Sequence, residues 1–207
     1  MKLRYRIGTR VINFIWKVFF GWKVYGRENI PKNGGFIVAS NHLSNFDPPL
    51  VGTAVWTREC YFFAKKELFE INKFFTWLIK AYNAFPADRE KIDRNAIRKA
   101  DEILKMGQGL IMFPEGTRSK TGELQTPKHG TAFIALRNKV PIVPALIKNS
   151  NTPLIKQFLR KKTVIVKFGK PITKEEVEKF SKSKDGRKKL SEIIMQKIKE
   201  LDERITC

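Results

Sequence analysis

The sequence has few of the residue types that form disulfides or hold metals. Among its 207 residues are 2 cysteines and 2 histidines. Cys60 lies inside an apolar run and Cys207 is the last residue, and no Cys-x-x-Cys pair or Cys/His cluster occurs. This scarcity excludes a disulfide framework, gives no sign of a zinc site and fits a reducing cytosolic compartment.

Acidic residues are also scarce relative to basic ones. The chain has 41 Lys+Arg against 20 Asp+Glu, a formal net charge of +21. Such a surface attracts nucleic acid, an anionic membrane or an acidic protein, and the charge alone does not choose among them. A hydrophobic fraction of 42% and a charged fraction of 29% are typical of one globular domain with a real core.

Long apolar runs are missing as well. The longest candidate, residues 11–22, is shorter than the ~20 apolar residues of a spanning helix and contains Lys17. The basic and then apolar N-terminus resembles a signal peptide, but no small-residue cleavage site follows it. We therefore expect neither a transmembrane span nor a signal peptide.

Residues 7–20 have a helical period with two different sides. The apolar side carries Ile7, Val11, Phe14, Ile15, Val18 and Phe19. Another side carries Arg6, Arg10, Asn13 and Lys17. This pattern is typical of a helix lying in the plane of a membrane, although an ordinary helix packed on the core is the alternative. Because Trp16, Phe20 and Trp22 widen the apolar arc, we favour the membrane and divide the chain into an N-terminal amphipathic membrane-associating helix, 1–21, and a domain at 22–207.

The rest of the chain alternates strands with helices. We predict strands at 22–25, 36–39, 61–64, 110–113, 142–147 and 164–168. We predict helices at 48–57, 74–82, 92–106, 131–137 and 187–205. Pro141 and Pro144 predict that the 142–147 strand is irregular or peripheral. The alternation predicts an α/β fold with a mixed, mostly parallel central sheet flanked by helices, and an active site beyond the carboxyl ends of strands.

His42 follows directly on the strand at 36–39, and Asp47 lies five residues further on. The two would not face each other in a continuous helix, but Ser44 and Asn45 favour a turn. A bent loop can bring the carboxylate to one imidazole nitrogen, which leaves the other nitrogen to take a proton from a hydroxyl. A substrate hydroxyl is then the nucleophile, and no enzyme serine is required.

Both residues also have interpretations without chemistry. Asp47 precedes Pro48 and would make a good helix N-cap, and His42 could be a loop histidine with satisfied nitrogens. A cap and a dyad partner are compatible, because a carboxylate has several acceptor positions. His129 has no acidic residue at a useful spacing, so we interpret it as structural or peripheral.

A second polar group, at residues 113–119, follows the strand at 110–113 and would open on the same edge as His42 if the two strands are parallel. Arg118 supplies a planar cation suited to phosphate. Glu115 could orient Arg118 or bind a substrate hydroxyl, while the alternative is a surface turn with a solvated ion pair. Lys65 or Lys66 could add a second charge to a phosphate site, and no P-loop or GxGxxG indicates nucleotide chemistry.

Together these residues resemble the glycerophospholipid acyltransferase family, and most closely its 1-acyl-sn-glycerol-3-phosphate acyltransferases. The NHxxxxD block is present as Asn41, His42 and Asp47, and the FPEGTRS block is complete at 113–119. A second region, 63–68 through 84–89, and a Val-Pro-rich strand at 140–145 also resemble the family. The four blocks occur in family order.

The resemblance implies a role for each of these residues. His42 is the base, and Asp47 orients it. The implied substrate-binding residues are Lys65, Glu115, Gly116, Thr117 and Arg118, of which Arg118 and Lys65 contact the acceptor phosphate. The family's Lys/Arg-Gly pair reads Lys128-His129-Gly130 here, so no role for Lys128 is predicted.

The resemblance also implies the reaction and the partners. It implies transfer of a fatty acyl chain from acyl-CoA or acyl-acyl-carrier protein to the sn-2 hydroxyl of lysophosphatidic acid, without cofactor or metal. The implied partners are an anionic membrane surface, a lysophospholipid and acyl carrier protein, but no nucleic acid, at the cytoplasmic face of the cell membrane as a peripheral protein. Glycerol 3-phosphate or another lysolipid stays open as the acceptor. A non-catalytic basic protein that binds membranes or nucleic acid is the alternative from another class.

Overall fold

The computed structural model describes residues 3–88, 93–159 and 162–203. Within these ranges one sheet of seven strands is flanked by helices. The strands are β1 (Lys23–Tyr25), β2 (Phe36–Ser40), β3 (Cys60–Lys65), β4 (Ala84–Ala87), β5 (Gly109–Met112), β6 (Ile142–Lys148) and β7 (Ile165–Phe168). The helices are α1 (Leu3–Phe20), α2 (Asp47–Val55), α3 (Lys73–Ala81), α4 (Arg94–Lys105), α5 (Gly130–Asn138), α6 (Leu154–Phe158), α7 (Lys174–Lys179) and α8 (Gly186–Glu203).

The sheet has the strand order β1-β7-β6-β2-β5-β3-β4. Every neighbouring pair is parallel except β6 and β7, which are antiparallel. The prediction of a mixed, mostly parallel sheet flanked by helices is therefore confirmed. Because β2 and β5 are parallel neighbours in the middle of the sheet, the loops that follow them leave from the same edge.

Strand β2 shows how the two faces of the sheet are covered. All five of its residues are buried, as expected for a strand with helices on both sides. Ile37 and Ala39 belong to one apolar cluster, which also contains buried residues of α4, α5 and α8. Phe36 and Val38 belong to a second cluster, which contains buried residues of α2. The alternate side chains of β2 therefore reach opposite layers of helices.

The prediction that residues 142–147 form an irregular or peripheral strand is wrong. β6 lies between β7 and β2 in the sheet, and six of its seven residues are buried. Pro144 is tolerated because it lies where the antiparallel ladder to β7 ends, one residue before the pair Ala145 and Phe168. Its carbonyl accepts a hydrogen bond from the N–H of Gly169 at 2.8 Å, and no donor is needed from its own nitrogen.

Several short elements are absent from the sequence-based prediction. β4 contains Pro86 and is an edge strand, which is where proline is allowed. The short helices α6 and α7 were also not predicted. Two predicted helices reached Ile92 and Ile205, and both of these positions lie outside the described residues.

Helix α1 begins at Leu3, before the predicted start at residue 7. It contacts the rest of the protein through Tyr5, which is buried and whose hydroxyl lies 3.4 Å from the carbonyl oxygen of Gly52. The apolar side chains of α1 that are exposed are Leu3, Ile7, Val11, Phe14, Ile15, Val18 and Phe19. None of the helices in the described ranges is long and apolar enough to span a bilayer.

Candidate active site

Two loops meet at the carboxyl ends of β2 and β5. The imidazole of His42, after β2, stacks on the ring of Phe113, after β5, with 4.1 Å between the ring centroids. The N–H of Ser119 donates a hydrogen bond to the carbonyl of His42 at 2.7 Å. The parallel pairing of the strands thus brings together the two polar groups found in the sequence.

The side chains of His42 and Asp47 are in contact inside the first loop. Nδ1 of His42 lies 2.8 Å from Oδ2 of Asp47. The same oxygen accepts hydrogen bonds from the backbone N–H groups of Leu43 at 2.6 Å and Ser44 at 2.7 Å. Both side chains are buried, with exposed fractions of 4% for His42 and 0% for Asp47. The carboxylate therefore closes the loop and fixes the imidazole at the same time.

Asp47 does not cap α2. It is the first residue of that helix, and the cap position is held by Phe46 without a side-chain hydrogen bond. The carboxylate points back toward the preceding loop, where its hydrogen-bond partners are. The interpretation of Asp47 as a helix N-cap is therefore wrong.

This arrangement gives the histidine the geometry of a base. A carboxylate at Nδ1 holds the proton on that nitrogen and stabilises the imidazolium that forms when Nε2 takes a second proton. Because Nδ1 is occupied by Asp47, Nε2 is the nitrogen that can serve a substrate. The buried Cys60 is not a competing nucleophile, since burial raises the pKa of its thiol to about 12.

A cleft of about 550 Å³ opens beside His42, a size suited to a ligand. Its apolar lining includes Phe63, Ile97, Ile111, Phe113, Phe133 and Ile134. Its basic lining consists of Lys128, His129 and Arg187. The cleft thus combines a base, an apolar wall that can hold an acyl chain and the cationic side chains of Lys128 and Arg187.

The predicted substrate-binding residues are divided between this cleft and the surface around it. Gly116 lines the cleft and has a φ of +72°, which favours glycine. Lys65, Thr117 and Arg118 are exposed and are not among the lining residues. The hydroxyl of Thr117 lies 3.3 Å from the side-chain oxygen of Gln125.

Glu115 is buried beneath the two loops, with an exposed fraction of 2%. Burial raises the pKa of its carboxyl to about 7, and the nearby Asp47 adds to this effect, while the backbone N–H of His42 and the amide of Gln125 oppose it. The Gln125 amide donates to the Glu115 carboxylate at 3.1 Å. Among the described side chains no ion pair joins Glu115 to Arg118, so the idea that Glu115 orients Arg118 is wrong.

Two residues line the cleft although the sequence did not place them there. His129 is not peripheral, because it lines the cleft and its Nδ1 lies 3.3 Å from the hydroxyl of Ser191 in α8. Arg187, at the start of α8, lines the cleft with its guanidinium 6.0 Å from the ring centre of Phe133. No local motif marks Arg187, since only the packing of α8 against α5 brings it to the site.

Asn41 joins the end of β2 to β6. Its side-chain nitrogen donates to the carbonyl of Ile147 at 3.0 Å, and its oxygen accepts from the N–H of Ile147 at 2.8 Å. Asn41 is buried and immediately precedes His42. The first residue of the NHxxxxD block therefore anchors the start of the loop that contains His42.

Known proteins resemble this chain in sequence and in fold. Residues 21–148 match the family model Acyltransferase. The chain is 31% identical to the 1-acyl-sn-glycerol-3-phosphate acyltransferase of Bacillus subtilis over 97% of this chain and 98% of that protein. It is 30% identical to the enzyme of that name from Streptococcus pneumoniae, over 93% of this chain and 70% of that protein. It is also similar to the crystal structure of PlsC, the 1-acyl-sn-glycerophosphate (LPA) acyltransferase from Thermotoga maritima, with a TM-score of 0.67 and 29% identity over 98% of this chain and 84% of that chain.

Proposed function

The chain belongs to the acyltransferase family and is an acyltransferase, and from this premise we propose that it acylates the sn-2 hydroxyl of 1-acyl-sn-glycerol 3-phosphate to give phosphatidic acid in phospholipid biosynthesis. The names of the relatives from Bacillus subtilis and Streptococcus pneumoniae support this acceptor. The observation that carries the proposal is the buried pair of His42 and Asp47, 2.8 Å apart beside the cleft. The donor is a fatty acyl thioester of coenzyme A or of acyl carrier protein.

The proposed reaction begins with proton transfer to His42. Nε2 takes the proton of the sn-2 hydroxyl while the hydroxyl oxygen attacks the thioester carbonyl carbon, and Asp47 stabilises the imidazolium. The tetrahedral intermediate then collapses, the carbon–sulfur bond breaks, and the imidazolium returns its proton to the thiolate. General base help of this kind is worth about 10²–10⁴ in rate.

We place the acceptor phosphate on Arg118, with Lys65 as a second contact. Arg118 directly precedes Ser119, whose N–H is bonded to the carbonyl of His42, so its backbone is anchored next to the base. Lys65 is the last residue of β3, which pairs in parallel with β5, so it lies at the same edge of the sheet. Glu115, Gly116 and Thr117 complete the proposed substrate-binding loop.

A thiol-release assay with both thioester donors and several acceptors tests this function. We expect turnover with 1-acyl-sn-glycerol 3-phosphate, loss of turnover in His42→Ala, and a raised acceptor KM in Arg118→Ala. Lys120→Ala removes the same charge from an exposed position two residues further on and serves as the matched control. Near-normal turnover in His42→Ala would reject the role of this residue, and a preference for glycerol 3-phosphate would change the acceptor.

We also propose that the protein docks peripherally on an anionic membrane at its cytoplasmic face through α1. The apolar side chains exposed on α1 and the exposed Arg6, Arg10 and Lys17 support this partner. In this proposal residues 1–21 are the membrane-associating segment and 22–207 the catalytic domain. The net charge of +21 would also attract an acidic acyl carrier protein.

A further inference from the structure

Two cations line the cleft of His42 but have no part in the reaction described above. They are Lys128, before α5, and Arg187, in the first turn of α8. Arg187 lies outside residues 21–148, which match the family model. The packing of α5 against α8 brings the two side chains from distant parts of the sequence to one cavity.

Arg187 lies at the wall of the cleft, where its side chain is exposed. Its guanidinium lies over the ring of Phe133, 6.0 Å from the ring centre, and Phe133 itself lines the cavity. Among the described residues no carboxylate forms an ion pair with Arg187. Its charge is therefore positioned at the cleft without being neutralised there.

Lys128 is fixed beside the loop that follows β5. Its backbone N–H donates to the carbonyl of Pro114 at 2.7 Å. Its side chain runs so close to Gly116 that a Cβ atom there would lie 2.7 Å from its Cδ and 3.3 Å from its Nζ. Lys128 also has no ion-pair partner in the part of the chain that the structure describes.

The acidic residues of the cleft are Asp88 and Asp93. The Asp93 carboxylate caps α4, with hydrogen bonds from the N–H groups of Asn95 at 2.9 Å and Ala96 at 3.0 Å, and it also accepts from the N–H of Asp88 at 3.1 Å. The Asp93 carboxylate therefore already accepts hydrogen bonds from backbone N–H groups. Neither α5 nor α8 has an acidic residue in its first turn, but Asp185 directly precedes α8, so the partial positive charge of the α5 start is the part that adds to the two side chains.

We propose that Arg187 and Lys128 form an anion subsite in the cleft that binds a phosphate ester of one of the two substrates. The inference rests on the proposed function, in which the acceptor carries a phosphate headgroup and the donor carries a phosphate on its pantetheine arm. Arg187 supplies a planar fork that matches phosphate oxygens, and Lys128 supplies a point charge. This subsite is additional to Arg118 and Lys65, which lie outside the cleft lining.

The test compares Arg187→Gln and Lys128→Gln with Lys188→Gln. Lys188 is the next residue of α8, is exposed and does not line the cleft, so its loss changes the net charge equally. We expect each cleft variant to raise the KM of one phosphate-bearing substrate about 10-fold while kcat stays within about 3-fold, because a charge-assisted hydrogen bond to phosphate is lost. Arg187→Lys should have an intermediate KM. A raised acceptor KM assigns the subsite to the headgroup, and a raised donor KM assigns it to the pantetheine arm.

The inference is overturned if both cleft variants have the same KM values as Lys188→Gln. If the wild-type protein releases no thiol with any acceptor, the proposed function fails, and the subsite is then tested by binding alone. Isothermal titration calorimetry with glycerol 3-phosphate and with 4′-phosphopantetheine supports the subsite if Arg187→Gln binds one of them about 10-fold more weakly than Lys188→Gln does. Equal binding by these two variants overturns it.

Discussion

A single oxygen of Asp47 accepts from three donors, and only one of them is His42. The other two are backbone N–H groups of Leu43 and Ser44, which set the shape of the loop. The carboxylate is therefore a positioning group for the imidazole and a structural group for the backbone. Substitutions at this position should separate the two effects according to which donors the new side chain can satisfy.

Asp47→Asn should preserve the conformation of the loop but reduce the rate of catalysis. If the asparagine oxygen takes the place of Oδ2, it can still accept from the two N–H groups and from Nδ1, but the neutral amide does not stabilise the imidazolium as the carboxylate does. We expect kcat to fall by about 10²–10⁴, with little change in the free energy of unfolding. Thiol release and urea denaturation measure the two quantities. His42→Ala/Asp47→Asn should be no slower than His42→Ala, because the two residues act as a unit.

Glu115 should make stability depend on pH. Burial raises the pKa of its carboxyl from an ordinary 4.5 to about 7, so the folded protein binds the proton more tightly than the unfolded chain does. Stability is then lost as pH rises between these two values, because the charged carboxylate is disfavoured in the folded state. Below the lower value both states are protonated, and above about 7 the destabilisation is complete.

Glu115→Gln should remove this destabilisation, because the glutamine has nearly the same shape and no charge. We expect the variant to gain stability relative to the wild type at pH 8 but not at pH 4.5, by on the order of 2 kcal/mol. Urea denaturation of both proteins at the two pH values measures the difference. A difference that is the same at both pH values would show that the carboxyl does not titrate in this way.

At the scale of whole elements, the end of β2 is joined to β6 by a side chain as well as by the backbone pairing of the two strands. Asn41 satisfies the N–H and the carbonyl of Ile147 in β6, so it continues the pairing of the two strands by one residue. Asn41→Ala would leave both backbone groups buried without partners. We expect a loss of about 2–4 kcal/mol in the free energy of unfolding, together with a lower kcat because His42 is the next residue.

Asn45→Ala is the matched control for this prediction. It makes the same substitution four residues further along the loop, at an exposed position. Its effect on stability should stay within about 0.5 kcal/mol. Equal effects of the two variants in chemical denaturation would contradict the structural role of Asn41.

Some elements could be predicted from the sequence, and the reasons are local. β2 and β5 are continuous apolar runs because helices cover both faces, and their predicted ends are within one residue of those observed. β4 and β6 contain prolines, and whether a strand tolerates proline depends on its neighbours in the sheet, which no local pattern contains. Helices as short as α6 and α7 carry too few turns for a period to be recognised.

The residues of the candidate site also differ in whether the sequence could predict their positions. His42 and Asp47 lie five residues apart in one loop, so local turn residues made their contact possible, and the resemblance to the family predicted it. Arg187 is brought to the cleft only by the packing of α8, and its neighbours in the sequence are further basic residues that give no signal. Lys128 did carry a signal, since it belongs to the counterpart of the family's Lys/Arg-Gly pair, but its close approach to Gly116 could not be predicted from the sequence.

At the scale of the whole molecule, exposed apolar side chains are concentrated on one layer. Helix α6 lies beside α1, with Phe158 and Phe20 in edge contact at 6.2 Å between ring centroids. Its exposed apolar residues continue the exposed apolar surface of α1, and neither helix contains an acidic residue. We therefore expect α6 to enter the lipid surface together with α1, which would fix the orientation of the cleft relative to the membrane.

Leu154→Ser/Ile155→Ser tests this orientation without touching α1, since Phe158 keeps its contact with Phe20. The variant should bind vesicles containing anionic lipid at least about 10-fold more weakly in sedimentation, because two exposed apolar side chains are lost from the interface. Met106→Ser removes a similarly exposed apolar side chain at the end of α4, on the other face of the sheet, and should bind normally. Raising the ionic strength should weaken binding of every variant, since the basic side chains of α1 are exposed to screening. If the α6 variant and Met106→Ser bind equally well, α6 lies away from the lipid and α1 alone makes the contact.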